Sequence, residues 1–460
     1  MDAVLLVDFG STYTKLTAVD IENEEILGTA KALTTVERDI MIGFYNAYGL
    51  LEEKIKGREI NFVEKLGCSS AAGGLKMIAV GLIPDLTAEA AKRAALGAGA
   101  RVLDVYCHEL NKSEIKKIIE QNPDIILIAG GTDGGNKECI IHNAKIISQN
   151  IKNIPIVVAG NKNARDTIEV IFDKENVDYI ITENVMPKLN ELNVEPARSA
   201  IREVFMKKIV EAKGMKNVEA LIGNILMPTP AAVLKAAKIL ADGTDKEEGL
   251  GDLMVVDVGG ATTDVYSIAE GQPTKAGVVL RGLEEPYAKR TVEGDLGMRV
   301  SIHSLWEAVG TRRIKKILAD TPYDIEERCK ELASNVNFVP NTAEEKAFDE
   351  AIAKVAIATA LNRHVGIVEC VYTPMGTVYA QTGKDLLNIG TLIGTGGVIV
   401  HSEKFQVLLK AALLDQEEPN YLKPLKPKMC VDRSYILSAM GLLAEKYPDK
   451  SIRILKKYLV

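Results

Sequence analysis

The chain alternates two kinds of apolar pattern. Short unbroken runs such as Ile125-Ile126-Leu127-Ile128 have the length of strands buried on both faces, and segments with helical spacing lie between them. From residue 101 to 182 the alternation is regular. Strands are predicted over 101–106, 124–129, 154–159 and 177–182, and helices over 113–121, 137–150 and 164–173. Repeated strand and helix with fully apolar strands predicts a parallel sheet covered on both faces. We therefore expect an inserted, doubly wound domain. Its strands end in Gly130-Gly131-Thr132-Asp133-Gly134-Gly135 and Gly160-Asn161. Ligands favour that edge of such sheets, and the same glycines equally suit tight strand–helix turns.

Upstream, three strands are expected within 1–34, then a helix over 40–56 and a strand over 62–68. That strand runs into the turn Ser69-Ser70-Ala71-Ala72-Gly73-Gly74. A further strand is expected over 75–83, and a helix from Thr87 through the alanine-rich 88–100. Glu89 suits the first turn of that helix. Residues 309–363 read as a helical cluster, clearest over 347–361. The stretch 417–428, with Pro419, Pro424 and Pro427, reads as a loop before the final helices.

Two of the predicted strands carry chemistry. Val4-Leu5-Leu6-Val7 ends at Asp8 and continues Phe9-Gly10-Ser11-Thr12-Tyr13-Thr14-Lys15. Leu253-Met254-Val255-Val256 ends at Asp257 and continues Val258-Gly259-Gly260-Ala261-Thr262-Thr263-Asp264. Each is an apolar strand that ends at a carboxylate and turns through glycine into a hydroxyl-rich strand. Gly10, Gly259 and Gly260 let a backbone approach phosphate with its N–H groups aimed at it. Ser11, Thr12, Thr262 and Thr263 add hydroxyl donors. Asp8 and Asp257 suit a hydrated Mg²⁺, which takes one or two carboxylates and keeps several waters. Both acids are expected at strand ends facing a ligand and outside any core.

Composition narrows the class. At 460 residues the chain exceeds the size of a single core, and 47% hydrophobic content supports real cores. A net charge of −7 argues against a nucleic-acid binder. No run is long enough to span a membrane, and a start bearing Asp2 and Asp8 without basic residues is expected to be a first strand, not a signal peptide. A cytoplasmic protein is expected. Its cysteines, Cys68, Cys107, Cys139, Cys329, Cys370 and Cys430, form no Cys-x-x-Cys pair. They are expected to be reduced and buried. The five histidines show no metal-ligand spacing.

The paired hairpins resemble the phosphate loops of the superfamily that contains actin, sugar kinases and heat-shock chaperone ATPases. A third element follows in the right order: Leu392-Ile393-Gly394-Thr395-Gly396-Gly397-Val398-Ile399-Val400, with an amphipathic helix from near Ser402, is similar to the adenosine loop. The resemblance implies an α/β fold, a two-lobed actin-like ATPase with RNase H-like subdomains, here carrying the doubly wound insert. It implies ATP and Mg²⁺ as ligands. Asp8 and Asp257 would hold the metal, and Gly10, Ser11, Thr12, Lys15, Gly259, Gly260, Thr262 and Thr263 the phosphates. Gly394, Thr395, Gly396 and Gly397 would lie at the nucleoside. Asp264 matches an acid that orients the attacking water in the chaperone ATPases; a plain strand-end residue is the other reading. Thr291-Val292-Glu293-Gly294-Asp295-Leu296-Gly297 looks like a connecting helix, and Gly441 sits in a second candidate connector.

Longer strings are more specific. Gly67-Cys68-Ser69-Ser70-Ala71-Ala72-Gly73-Gly74, Leu82-Ile83-Pro84-Asp85-Leu86-Thr87, Ala129-Gly130-Gly131-Thr132-Asp133-Gly134-Gly135, Asn224-Ile225-Leu226-Met227-Pro228-Thr229-Pro230 and Gly383-Lys384-Asp385-Leu386 resemble the MutL accessory proteins of glutamate (methylaspartate) mutase. The resemblance runs over essentially the whole chain. It implies a slow Mg²⁺-dependent ATPase that acts as a chaperone and reactivates an adenosylcobalamin-dependent mutase. The partners would be the mutase subunits, with no nucleic acid and no membrane, and a homo-oligomer stays open. The corrinoid would be held by the client alone. One related group of activators holds an iron–sulfur cluster through cysteines; none is expected here, although Cys68 beside the glycine turn meets its twin in a dimer on that alternative. Four segments are expected: 1–99 as first lobe, 100–190 as inserted domain and candidate client-binding region, 191–250 as helical return, and 251–460 as second lobe. A small-molecule kinase on the same fold, and a nucleotide-switched binding or filament protein, are the competing readings.

Overall fold

A computed structural model describes residues 1–10, 12–35, 39–70, 75–211, 225–318, 321–374 and 376–459. The chain divides into two compact units. The first is Met1–Lys235 with Ser438–Ser451, and the second is Ala236–Leu437 with Ile452–Val460. Residues 438–451 therefore belong with the first unit, where 251–460 was expected to be one lobe.

The first unit opens with an antiparallel meander, β1 (Asp2–Phe9), β2 (Tyr13–Asp20) and β3 (Glu25–Leu33). β4 (Asn61–Ser69) runs parallel to β1, and β10 (Ile225–Pro228) runs parallel to β4. The order β10-β4-β1-β2-β3 puts β1 at the centre. That position explains why β1 is apolar without alternation: Ala3 through Val7 and Phe9 are all buried, because both faces are covered. Helix Ile40–Ile55 starts at Asp39, whose carboxylate accepts the Met41 N–H at 2.9 Å. The helix lays Phe44, Ala47 and Leu51 into the core.

A second sheet of this unit is inserted between β4 and β10. Its strands are β5 (Lys76–Gly81), β6 (Arg101–Cys107), β7 (Ile125–Ile128), β8 (Ile156–Val158) and β9 (Tyr179–Ile181). They are parallel throughout, in the order β6-β5-β7-β8-β9. This is the doubly wound insert read from the strand–helix alternation. One boundary is corrected: β5 lies inside this sheet, so residues 76–99 do not belong to the meander's sheet. The physical reason is that β5 must pair with both β6 and β7 to close the core of Ile78, Val80, Ile126, Ile128, Ile156 and Val158. The expected helix from Thr87 is also shorter. A π-turn over Pro84–Ala88 precedes helix Glu89–Gly97, and the Thr87 hydroxyl accepts the Leu82 and Ile83 N–H groups at 2.9 and 3.1 Å.

The second unit repeats the meander plan. β11 (Leu253–Val258), β12 (Thr263–Ile268) and β14 (Ala288–Glu293) are antiparallel. β17 (Thr391–Thr395) runs parallel to β11, and β18 (Lys428–Val431) parallel to β17. Written from the third strand of each meander, the order is third, second, first, fourth, fifth in both units. The chain thus has an α/β fold with two RNase H-like sheets, the actin-like ATPase plan, plus the doubly wound insert. β13 (Val278–Leu280), β15 (Ile367–Thr373) and β16 (Gly376–Thr382) make a small mixed sheet. The 22-residue helix Ala343–His364 fills the core against Met254, Val256 and Val265. It begins with a capping box, Thr342 Oγ1 accepting the Glu345 N–H and the Glu345 carboxylate accepting the Thr342 N–H.

The expected connecting helix over 291–297 is not present. Thr291–Glu293 complete β14 because they are hydrogen-bonded across to β12, and Gly294–Gly297 turn away from it. Among the described residues no helix is long and apolar enough to cross a membrane.

Candidate functional site

In the first unit, the turn after β1 closes with the Gly10 N–H donating to the Tyr13 carbonyl at 3.1 Å. A methyl at Gly10 would sit 2.6 Å from that carbonyl oxygen, so the position excludes a side chain. Ser11 lies outside the described residues. Thr12 is exposed at the turn. Lys15 is the cross-strand partner of Asp8, its Nζ 4.0 Å from Asp8 Oδ2. The structure corrects one expectation here. Asp8 is buried, 3% exposed, and both of its carboxylate oxygens accept hydroxyls. Thr229 Oγ1 donates to Oδ1 at 2.6 Å, and Ser438 Oγ donates to Oδ2 at 2.9 Å. A carboxylate this enclosed needs such hydrogen-bond partners, because a buried polar group without them is costly. Beside it Cys68 is fully buried, and burial, then the Asp8 charge, pushes its thiol well above the usual range.

In the second unit the corresponding turn closes the same way, Gly259 N–H to the Thr262 carbonyl at 2.9 Å. Its other carbonyls are occupied from behind. Met298 N–H bonds Gly259 O at 3.0 Å, Arg299 and Val300 N–H bond Gly260 O at 2.8 and 2.9 Å, and Ser301 Oγ bonds Ala261 O at 2.7 Å. A methyl at Gly260 would meet nothing within 4 Å, so this residue faces open space. Asp257 is half-buried. Thr262 ends the turn and Thr263 is the first residue of β12. The Thr262 hydroxyl bonds Asp264 Oδ2 at 2.9 Å. Thr263 is fully buried with its hydroxyl on the Leu296 carbonyl at 2.6 Å, so it holds the turn and is not a free phosphate donor.

The two hairpins differ in one charge. Asp8 faces Lys15 across its strands, whereas Asp257 faces Asp264. The second acid is neutralised by Arg290 of β14, whose Nε and Nη2 donate to Asp264 Oδ1 at 3.0 and 2.6 Å. Burial alone pulls the Arg290 guanidinium down; the Asp264 carboxylate and Tyr266 together outweigh it and raise it above its ordinary value.

β17 brings the predicted adenosine loop beside the second hairpin, pairing Thr395 with Asp257. Gly396 follows with φ +91°, and a methyl there would lie 2.3 Å from the Val258 carbonyl oxygen. Only glycine fits. Gly394 is a packing position, its missing methyl space taken by Ile399 Cγ2 at 2.7 Å, and Thr395 is buried. Gly397 is open: a methyl there would come no nearer than 3.9 Å, to the Tyr435 hydroxyl. The helix expected near Ser402 is two short pieces, Gly397–Val400 and Phe405–Leu409.

On the parallel sheet, the glycine turns are tightly tied. A methyl at Gly131 would lie 1.9 Å from the Asn136 carbonyl oxygen. Asn161 Nδ2 donates to the Gly135 carbonyl, and Asn184 Nδ2 to the Gly131 carbonyl, each at 2.9 Å. Thr229, Ser438 and Arg290 were missed by sequence reasoning. Thr229 lies in a string that resembles the MutL proteins, but nothing near it in the sequence ties it to Asp8.

Residues 4–459 match the family model described as MutL protein. Protein MutL of Clostridium tetanomorphum is 65% identical over 460 residues, covering 100% of both chains. Among solved structures, a glycerol dehydratase reactivase aligns over 96% of this chain and 99% of its own at 10% identity and TM-score 0.35. An activator of 2-hydroxyisocaproyl-CoA dehydratase from Clostridium difficile with bound ADPNP aligns over 99% and 97% at 9% identity and TM-score 0.31. Xylulose kinase from Bifidobacterium adolescentis aligns over 100% and 94% at 12% identity and TM-score 0.34. The fold assignment rests on strand order, since likenesses this low carry none.

Proposed function

The chain belongs to the MutL protein family, and from that premise we propose that it is an ATP-dependent reactivating factor for an adenosylcobalamin-dependent mutase, glutamate mutase or a related amino-acid mutase. It would release inactivated corrinoid from the client so that fresh cofactor can bind. One observation carries the nucleotide part of this reading. Both units carry the same hairpin: the last residue but one of a central strand is an acid, and a glycine N–H closes the following turn. The mutase part is supported by the long strings that resemble glutamate mutase accessory proteins.

Roles follow from the contacts. The backbones at Gly10 and Gly259-Gly260, with Thr12, Thr262 and Lys15, are proposed to hold phosphate. Gly396 and Gly397 are proposed to lie at the nucleoside. Asp8 and Asp257 suit a hydrated metal: Asp8 has both oxygens in hydroxyl bonds, which leaves it fit to accept from metal-bound water. When bound, Mg²⁺ neutralises phosphate charge during transfer. Positioning of that kind needs no strong base, so a slow ATPase is expected. The loop edge of the parallel sheet is proposed to meet the client, because such edges carry exposed loops.

The test uses the full chain and a mutase loaded with hydroxocobalamin. Addition of ATP, Mg²⁺ and adenosylcobalamin should restore mutase activity and put corrinoid in the low-molecular-weight filtrate. Asp257→Ala should abolish both. A corrinoid of micromolar to nanomolar affinity is held by about 8–12 kcal/mol, but exchange requires only a client state of weaker affinity. If ATP is consumed and no corrinoid leaves any glutamate or amino-acid mutase offered, the reactivase reading is refuted and the small-molecule kinase replaces it.

A further inference from the structure

The Asp8 carboxylate is enclosed by residues very far away in sequence. Its Oδ1 partner, Thr229, is separated from it by 221 positions, and its Oδ2 partner, Ser438, by 430. Thr229 is the first residue of helix Thr229–Asp242, and it follows directly on β10. Ser438 is the second residue of helix Leu437–Leu443. β10 is held beside β4 by pairing Pro228 with Ser69, one residue from the Cys68 that faces Asp8 across β1 and β4. The Thr229 hydroxyl thus arrives at Asp8 by sheet register.

Ser438 arrives by helix packing. A methyl at Gly441 would lie 1.9 Å from the Ala232 carbonyl oxygen, so the two helices touch backbone to backbone one turn beyond their hydroxyls. Lys235 and Glu445 pair across them. Each helix therefore fixes the other, and the two hydroxyls keep a set spacing. A threonine and a serine that meet both oxygens of one buried acid fix the plane of its carboxylate. The Cys68 thiol and the Lys15 ammonium lie at the same carboxylate.

We propose that Thr229 and Ser438 are positioning residues that orient Asp8 for the hydrated metal of a bound nucleotide. This rests on the nucleotide reading given above and adds residues that it does not contain. Neither hydroxyl touches phosphate; both act through Asp8. Loss of either removes one of the two hydroxyls that hold the carboxylate's plane, so the acid would be freer to rotate and would be a less fixed acceptor for metal-bound water.

The experiment uses the full chain and its Thr229→Val, Thr229→Ser, Ser438→Ala and Asp8→Asn variants. Affinity for a non-hydrolysable ATP analogue is measured by calorimetry with and without Mg²⁺, alongside the Mg²⁺ dependence of ATP turnover. Thr229→Val and Ser438→Ala should each raise the half-saturating Mg²⁺ about tenfold. They should also cut the Mg²⁺-dependent gain in analogue affinity about tenfold, with Mg²⁺-free affinity within twofold of wild type. Thr229→Ser, which keeps the hydroxyl, should restore both values to within about threefold. Asp8→Asn should abolish the gain. If Thr229→Val and Ser438→Ala lower thermal stability while the Mg²⁺ dependence stays at the wild-type value, the hydroxyls serve only the fold and the proposal is overturned. If the wild-type chain binds no analogue with or without Mg²⁺, the nucleotide reading itself falls, and this proposal with it.

Discussion

Arg290→Met should expose how much of the second unit depends on one ion pair. Arg290 and Asp264 are both nearly buried, and two N–H groups of the guanidinium converge on Asp264 Oδ1 at 3.0 and 2.6 Å. Removing the guanidinium leaves the Asp264 carboxylate with a single hydroxyl, from Thr262. Breaking a buried pair from one side costs roughly 3–5 kcal/mol, because an uncompensated charge stays behind. Asp264→Asn breaks the pair from the other side and should cost about as much. The double variant orphans no charge, so its loss should fall well short of the sum, with a coupling of about 2–3 kcal/mol. Urea unfolding of the four chains reads this directly, at low and at moderate salt, since a buried pair is little screened. Single losses that add to within about 0.5 kcal/mol would refute the reasoning. They would mean that the pair is solvated enough to be worth no more than a surface bridge. Turnover by the folded Asp264→Asn chain then separates two roles. A fall of about a hundredfold or more supports water orientation; near wild-type turnover leaves Asp264 as the anchor of Arg290.

Two further outcomes follow from buried or crowded positions. Lys384 is fully enclosed, donates to the Pro286 and Tyr287 carbonyls at 3.1 and 2.8 Å, and is pulled from 10.5 down to about 7, first by burial and then by Lys289. The unfolded chain therefore binds the extra proton between about pH 7 and 10.5, so this group's stability contribution is present at high pH and is lost as pH falls toward 7. The difference in unfolding free energy between wild type and Lys384→Met should shift by up to about 4 kcal/mol over three pH units; a pH-independent difference in urea melts rules this out. Gly396→Ala and Gly260→Ala should part company. The first forces a methyl to 2.3 Å from the Val258 carbonyl oxygen at φ +91° and should cost at least about 2 kcal/mol. The second meets nothing within 4 Å and should leave stability within about 0.5 kcal/mol while lowering nucleotide affinity; equal melting of the two variants, or unchanged affinity for Gly260→Ala, contradicts the assignment.

The strand–helix run from β6 to β9 was legible because a parallel sheet buried on both faces leaves uninterrupted apolar strands, and each observed element lies within a few residues of its expected place. The two hairpins were legible for a related reason: a central strand is apolar up to the point where it meets a polar turn, and Asp8-Phe9-Gly10 and Asp257-Val258-Gly259 mark that point. What the sequence leaves open is everything that depends on contacts distant along the chain. The expected connector at 291–297 is a strand end because Thr291, Val292 and Glu293 bond across to β12. β5 carries the same apolar signal whether it joins the meander or the insert, and only its pairing with β6 and β7 decides. Thr262 and Thr263 are adjacent and alike, yet one hydroxyl reaches Asp264 and the other is sealed against Leu296, because the first ends the turn and the second opens the strand. Asp8 was named from its hairpin, but its burial and its two hydroxyl partners come from helices that start at residues 229 and 437. Local pattern determines which segments become strands and turns; the orientation and partners of the acids are decided by packing, where hydrogen bonds form between residues that the chain brings together only when it is folded.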